Sequence, residues 1–302
     1  MSKIEDIASY TALIARAMQP IYDKISRIEN SVEHFKFYIN AIHDLEYRRL
    51  FQIESSKPEN AGKLWQYGYK VYSQNDEDGM IAEIFKRIGI TTKTFIEIGV
   101  GNGIECNTAK LLVEGWSGLW FEGQPDNGKG TIEPHFSKRF SIKEVFVTVE
   151  NINSLLSEAS GWGEVDVCSI DVDYNTYWLW KALTVIKPRV VIIEYNALWP
   201  PPISLVVPYD HKAVWDITNY YSASLEAMTQ MATGKGYSLV GCDLTGTNAF
   251  YVRDDLVGDK FLQPYTAEKH YMPVNYNFNH SSGHPSRIAP YLNVVASDGV
   301  KL

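Results

Sequence analysis

The sequence predicts an α/β protein with a doubly wound, mostly parallel sheet and a helical extension before it. Three observations support this fold class. From residue 94 onward, short apolar runs of strand length alternate with segments of helical periodicity. The last two apolar runs are joined by the short polar loop 243–246, which leaves no room for a crossover helix, so these strands must pair antiparallel. The first 50 residues instead carry a seven-residue apolar repeat.

The composition sets limits on function and location. A chain of 302 residues is long enough for one large α/β domain and an extension. Its net charge of −8 argues against a basic nucleic-acid-binding surface. The sequence contains no run of 18 apolar residues, so no membrane span is expected, and because its first residues are polar no secretory signal is expected. Cys106, Cys168 and Cys242 are odd in number and lack metal-site spacing, which predicts packed thiols in a cytoplasmic protein.

Residues 1–68 form a predicted N-terminal helical oligomerisation segment and polar connector. Two interpretations of its repeat are open: an amphipathic helix folded against its own domain, or a coiled coil between subunits. The strict period of 3.5 residues favours the coiled coil and a homo-oligomer, and isoleucine at both core positions favours more than two strands. Pro20 predicts that the main helix begins there. The repeat consists of Ile14, Met18, Ile21, Ile25, Ile28, Val32, Phe35, Ile39 and Ile42.

Residues 69–302 form the predicted second domain. Ser73 is the expected N-cap of its first helix, whose apolar side chains recur at helical spacing between Met80 and Ile88. Further helices are predicted over 109–114, 152–160, 176–185 and 222–233. Strands are predicted over 94–99, 117–121, 144–149, 165–171, 189–194, 236–241 and 247–252.

A glycine-rich loop follows the first predicted strand. Glycine permits positive φ angles and lets a ligand approach the backbone. The next strand ends at Glu122, which lies 25 residues after Glu97. A nucleotide-binding βαβ unit places the carboxylate that holds ribose hydroxyls at about this distance. The loop glycines are Gly99, Gly101 and Gly103.

The details of this loop distinguish between nucleotides. A dinucleotide fingerprint requires glycine at position 104, where this chain has Ile104. An acid before the glycines, here Glu97, suits a cationic ligand better than a phosphate. The Glu-x-Gly-x-Gly-x-Gly pattern is similar to the first motif of S-adenosylmethionine-dependent methyltransferases.

Four further segments extend this similarity: Tyr72–Gly79, Gly115–Gly123, Ser169–Asp173 and Val191–Asn196. In order and spacing, they resemble the FkbM-type branch of class I methyltransferases from about residue 72 to residue 254. The resemblance implies a Rossmann-like class I methyltransferase fold, with seven mostly parallel strands and one antiparallel strand. It also implies methyl transfer to a sugar hydroxyl of a glycan or sugar-containing acceptor, as in polysaccharide biosynthesis. Tyr174 departs from the family, in which a small residue is expected.

The resemblance also assigns the cofactor-binding residues. Glu97 and the three glycines are expected around the methionine and ribose parts of S-adenosylmethionine, and Glu122 on the ribose hydroxyls. Glu150 is expected near the adenine, although it could instead cap the helix that follows it. Ser73 and Gln74 resemble positions that close over the cofactor, and this role is compatible with helix capping.

A cluster of oxygen-bearing side chains is expected where the fourth and fifth strands end, because ligands bind beyond the carboxyl ends of parallel strands. Asp173, Glu194 and Asn196 are expected to converge near Asp171, and four such side chains suit a hard divalent cation. Of these, Asp171, Glu194 and Asn196 are the predicted ligands of an optional Mg²⁺, which would lower the pKa of the acceptor hydroxyl. Asp171 and Asp173 are also predicted to be catalytic. The alternative is a metal-free site in which Asp171 orients the cofactor ammonium or the acceptor.

The general base remains open at this level. His211 is the predicted base because it follows the fifth strand and lies on the expected active face. His280 and His284 are alternatives within a tail, residues 255–302, that either lines the acceptor cleft or forms a subunit contact. Two other functions are open: a cofactor-binding scaffold without catalysis, and a nicotinamide-dependent oxidoreductase, which the glycine spacing disfavours.

Overall fold

A computed structural model describes residues 2–101, 103, 105–124, 138–275, 292–295 and 299–301 of the chain. The chain divides into two compact units, one up to Glu54 and one from Ser55 onward. The predicted connector begins at this division. It is not an exposed linker throughout, because the side chains of Leu64 and Trp65 are each only 1% exposed within the second unit.

The first unit is a single helix, α1 (Ser2–Ser55), of 54 residues. The prediction that the main helix begins at Pro20 was wrong, since Pro20 lies inside α1. Proline removes only one backbone hydrogen bond of a helix, and the helical sequences on both sides propagate through that loss.

The second unit contains a large sheet with helices around it. Its helices are α2 (Glu77–Ile88), α3 (Ala109–Val113), α4 (Ile152–Leu155), α5 (Thr176–Ala182), α6 (Leu225–Gly234), α7 (Asp254–Val257) and α8 (Ala267–His270). Its strands are β1 (Thr94–Ile98), β2 (Ser117–Glu122), β3 (Phe140–Glu144), β4 (Val167–Ile170), β5 (Val190–Glu194), β6 (Leu205–Val206), β7 (Tyr237–Cys242), β8 (Asn248–Arg253), β9 (Leu292–Val295) and β10 (Gly299–Lys301). Short 3₁₀ turns cover Pro58–Asn60, Leu64–Tyr67, Ser157–Trp162 and Asp173–Asn175.

The predicted fold class is confirmed. Seven strands form one sheet in the order β3-β2-β1-β4-β5-β8-β7. The strands from β3 to β5 pair in parallel, whereas β8 runs antiparallel to both of its neighbours. This is the strand order and direction expected of a Rossmann-like class I methyltransferase fold. The central strands are apolar and fully buried, as Phe95 and Val191 illustrate, because helices cover both faces of such a sheet.

Several element boundaries differ from the predictions. The third strand was expected over 144–149 but covers 140–144, because the apolar residues 145–147 leave the sheet and line a cleft. The short strands β6, β9 and β10 form a separate sheet that was not predicted. The helix expected over 152–160 is a short α4 followed by a 3₁₀ turn. The helix expected from residue 222 begins at Leu225, where Ser224 caps it by accepting from the Ala227 amide.

The predicted N-cap at Ser73 was also wrong. Helix α2 begins at Glu77, and Asp76 occupies the N-cap position. The cause is a turn before the helix, in which the Asp78 carboxylate accepts hydrogen bonds from the backbone amides of residues 71–73. The Ser73 hydroxyl still accepts from the Asp78 amide at 3.2 Å, so it satisfies one donor of the first helical turn from outside the helix.

Cys106, Cys168 and Cys242 are buried free thiols. Among the residues that the structure describes, no helix combines the length and the apolar character needed to cross a bilayer.

Candidate functional site

A cleft of about 570 Å³ lies at the carboxyl ends of β1, β2, β4 and β5. In an open α/β sheet this edge is where ligands bind, because loops and helix N-termini converge there. Seven residues singled out from the sequence line it: Gln74, Gly99, Gly101, Glu122, Asp171, Asp173 and Glu194. The cleft therefore joins the glycine-rich loop to the acids that follow β4 and β5.

The glycine-rich loop forms one side of the cleft. Gly99 has φ of +85°, and a Cβ at this position would lie 1.6 Å from the carbonyl oxygen of Asp171. Only glycine fits there. The amide of Gly101 donates a 2.7 Å hydrogen bond to Glu122, and the Gln124 amide donates another at 2.9 Å. Glu122 is thus held at the end of β2 beside the loop, where the ribose-binding carboxylate was expected.

Glu97 is buried and does not line the cleft. Its buried carboxylate accepts from the Asn107 amide at 2.9 Å, from the Thr108 amide at 3.0 Å and from the Thr108 hydroxyl. The indole of Trp120 in turn donates to the Thr108 hydroxyl at 2.8 Å. Burial raises the pKa of the Glu97 carboxyl to about 7. Through these hydrogen bonds Glu97 fixes the segment that leads from the glycine-rich loop into α3.

Three carboxylates meet on the opposite side of the cleft, and we call them the acid trio: Asp171, Asp173 and Glu194. Their nearest oxygens all lie within 4.8 Å of one another. Glu194 is only 9% exposed, and its Oε2 atom is buried without a hydrogen-bond partner in the described part of the chain. Asp173 has φ of +56°, a left-handed conformation that is uncommon for a residue with a side chain.

The acid trio is electrostatically strained. Burial, followed by the charge of Asp173, raises the pKa of Asp171 to about 8. Burial also raises the pKa of Asp173, to about 6. Burial and the neighbouring Asp171 hold the pKa of Glu194 well above its usual range. Such a group of carboxylates is stabilised either by retained protons or by a bound cation.

Asn196 does not join the acid trio. Its Nδ2 donates to the carbonyls of Asn219 and Tyr221 at 3.0 and 3.1 Å, and its Oδ1 accepts from the Leu198 amide at 3.1 Å. The side chain thus holds the loop after β5 in place. Of the four oxygen-bearing side chains expected to converge here, Asp171, Asp173 and Glu194 meet in the acid trio.

Other predicted residues lie outside the cleft lining. Glu150 is exposed, and it accepts a 2.7 Å hydrogen bond from the Tyr209 hydroxyl. His211 is 60% exposed, with its Nδ1 3.9 Å from the Asp210 carboxylate. His280 and His284 lie outside the described residues. Gly103 has φ of +75° and shapes the loop, but it does not line the cleft, and neither does any described residue of the tail after 254.

Gln74 reaches the cleft from the segment 68–78, which we call the strap. Two buried acids anchor this segment, since Glu77 and Asp243 are both fully buried. The Asn75 side-chain amide donates to Glu77 at 3.1 Å and to Asp243 at 3.2 Å, and Asn248 donates to Glu77 at 2.9 Å. Burial and the charge of Glu77 raise the pKa of Asp243 well above its usual value. The strap is therefore fixed to the β7–β8 hairpin by polar contacts.

Four aromatic residues that were not predicted from the sequence line the cleft, and we call them the aromatic wall: Phe121, Phe146, Trp215 and Tyr221. Tyr174 packs edge-on against Tyr220 nearby, with ring centroids 5.9 Å apart. The run of aromatic residues between 215 and 221 was a usable signal, because aromatic side chains in a loop after a strand end are candidates for ligand contact.

The sequence matches no protein-family model and no curated protein. Among solved structures, it is similar to an O-methyltransferase family protein from Burkholderia thailandensis, with 13% identity and a TM-score of 0.36. The similarity covers 59% of this chain and 58% of that protein, so the chain spans little more than half of its length.

Proposed function

We propose that this protein is an S-adenosylmethionine-dependent O-methyltransferase that acts on a sugar hydroxyl of a glycan or sugar-containing acceptor. The observation that carries the proposal is the joining of two chemically different halves in one cleft. One half presents backbone amides and Glu122 at the glycine-rich loop. The other presents the acid trio, and aromatic side chains line the same cleft.

The first half fits the cofactor. S-adenosylmethionine, when bound, supplies a sulfonium methyl group as the electrophile. Glu122 is positioned to accept hydrogen bonds from ribose hydroxyls, as the carboxylate after the second strand does in nucleotide-binding folds. Gly99 and Gly101 leave the backbone open to close approach. Gln74, held by the strap, closes this half from the side of α2.

The second half fits a hydroxyl acceptor. Carboxylates accept hydrogen bonds from sugar hydroxyls, and aromatic faces such as those of Trp215 and Tyr221 pack against the apolar face of a sugar ring. Because methyl transfer is an in-line displacement, the main tasks of these residues are to align the acceptor oxygen and to exclude water. Burial raises the pKa of Asp173 to about 6, so its carboxyl is ionised at neutral pH and is able to accept the hydroxyl proton.

The acid trio is also our proposed divalent-cation site, with Asp173 in place of Asn196. The buried, unpartnered Oε2 of Glu194 fits this role, because a desolvated carboxylate oxygen without a donor is what a hard cation satisfies. Mg²⁺, when bound, would lower the pKa of the acceptor hydroxyl. His211 is a second candidate base, but its side chain is 60% exposed and it does not line the cleft.

Calorimetry on the full-length protein tests the cofactor. We expect S-adenosylmethionine to bind and NAD not to bind. Glu122→Gln should weaken S-adenosylmethionine binding at least about ten-fold, because it removes a charge-assisted hydrogen-bond acceptor. Glu158→Gln, at an exposed position, is the matched control and should bind normally. NAD binding in place of S-adenosylmethionine would support the oxidoreductase instead.

Turnover tests the reaction. S-adenosylhomocysteine release should depend on an added neutral glycan or sugar nucleotide, and should fall in excess chelator and recover with Mg²⁺. Full activity in chelator would remove the cation from the proposal but leave the methyltransferase in place. Cofactor binding without release on any acceptor of the panel would favour the non-catalytic scaffold.

A further inference from the structure

The apolar repeat of α1 is exposed to solvent along the first unit. Ile21, Ile28 and Phe35 are 55%, 63% and 66% exposed. Other members of the repeat that are also exposed are Met18, Ile25, Val32 and Ile42. A stripe of large apolar side chains sustained over several turns is not stable in water unless another surface covers it.

The apolar face is wider than a two-stranded coiled coil buries. With Met18, Ile25 and Val32 at the a positions and Ile21, Ile28 and Phe35 at the d positions, Tyr22 falls at e, and Tyr38 and Leu45 fall at g. These three flanking side chains are 52%, 65% and 65% exposed. Flanking apolar positions are covered when more than two helices surround the core, and isoleucine at both a and d favours the same outcome.

We propose that α1 is the assembly surface of the protein, and that three copies of the chain associate through it as a parallel, in-register coiled coil. The partner is a second and a third copy of this same helix. This proposal is independent of the reaction assigned to the cleft.

Charge complementarity supports the parallel orientation. In a parallel coil, a g side chain faces the e side chain five residues later on the neighbouring helix. Lys24 at g therefore meets Glu29 at e of the next copy. Neither of them forms an ion pair with another described residue, whereas Lys36 is paired within the helix with Glu33 at 2.7 Å. An antiparallel coil pairs g with g and e with e. No g position of this repeat carries an acid that could face Lys24, and Lys36, the basic e residue that could face Glu29, is already paired with Glu33 within its own helix.

Sedimentation equilibrium on the full-length protein tests the number of copies. We expect a mass of about three times the 34.3 kDa chain. Ile28→Asp, at a core position, should reduce the mass to one chain. Asn30→Asp adds the same charge at an outward position only two residues away, so it should remain at three. A wild-type mass of one, two or four chains would overturn the proposed trimer, as would loss of assembly in both variants.

Two further experiments test the orientation. Lys24→Glu and Glu29→Lys should each weaken association at least about ten-fold, and the double variant should recover it, because the exchange restores opposite charges between copies. Ile28→Cys should form a disulfide between identical positions under mild oxidation, whereas Asn30→Cys should not. Without recovery in the double variant and without a bond at position 28, the parallel register would be wrong.

Discussion

The acids of the glycine-rich loop, of which only Glu122 lines the cleft, and the acids across the cleft are in opposite states. At the glycine-rich loop, Glu97 and Glu122 accept hydrogen bonds from backbone amides, so both carboxylates are satisfied within the fold. Across the cleft, the trio of Asp171, Asp173 and Glu194 is crowded, and Glu194 retains a buried oxygen without a donor. The satisfied acids hold the loop in its conformation, whereas the trio has an acceptor oxygen that no group of the described chain satisfies. A bound ligand should therefore stabilise the protein most at the trio.

The contact that joins the two halves should be the most sensitive point. Gly99→Ala places a Cβ against the Asp171 carbonyl and also requires a left-handed alanine. We expect a loss of unfolding free energy of about 3 kcal/mol or more, together with loss of cofactor binding. Urea denaturation and calorimetry measure these two effects.

Gly101→Ala is the control for that experiment. Gly101 also has positive φ, at +54°, but a Cβ there meets nothing within 4 Å. Its cost should therefore be only the backbone strain, about 1 kcal/mol. Equal losses in the two variants would mean that the close approach of Gly99 to Asp171 is not what limits the site.

Replacing a carboxyl by an amide should change the unfolding free energy in opposite directions at Glu97 and at the acid trio. Glu97→Gln places an amide NH₂ group among three donors, so it should destabilise the protein by about 1 to 3 kcal/mol. At about pH 9, where the Asp171 carboxyl with its pKa of about 8 is ionised, Asp171→Asn removes a charge from the trio and should stabilise the ligand-free protein by about 1 kcal/mol. Thermal unfolding without added cation measures both effects. A destabilised Asp171→Asn would show that the trio is satisfied by contacts within the chain.

The pH dependence of the unfolding free energy should reflect the raised pKa values of the acid trio. Its carboxyls have raised pKa values in the folded protein, Asp171 at about 8 and Asp173 at about 6. The folded state therefore binds more protons than the unfolded state between about pH 4 and pH 8, and stability falls as pH rises through this range. We expect a lower melting temperature at pH 8 than at pH 5. Mg²⁺ should raise it more at pH 8, because the cation competes with these protons.

Asp171→Asn is the control for the pH experiment. It should reduce both the slope of stability with pH and the response to Mg²⁺, because it removes one titrating carboxyl and also relieves the raised pKa of the neighbouring Glu194. An unaltered slope would assign the pH dependence to another buried acid, either Glu97, whose pKa is raised to about 7, or Asp243, whose pKa is also raised.

The sequence was most informative where chemistry depends on local spacing. The mostly parallel sheet with one antiparallel hairpin follows from the apolar runs and one short loop. Glycine at position 99 was predicted from the motif spacing, and the close approach of the Asp171 carbonyl is its physical reason. The direction of a side chain was harder to predict. Glu97 and Asn196 carry suitable atoms at suitable strand ends, yet each faces backbone groups supplied by residues that are distant in space until the chain folds. Phe146 was assigned to a strand, because the alternation of apolar residues does not tell when a strand leaves its sheet.

The aromatic wall should give the smallest of these effects and the most selective one. Trp215→Ala removes apolar contact area on the acceptor side without touching Glu122 or the acid trio. We expect the KM for the acceptor to rise about ten-fold, with little change in kcat and in S-adenosylmethionine affinity, because the lost contact is present in both ground and transition states. Trp162→Ala, in a 3₁₀ turn outside the cleft lining, is the control. A fall in kcat with unchanged KM would instead place Trp215 in the alignment of the reacting hydroxyl.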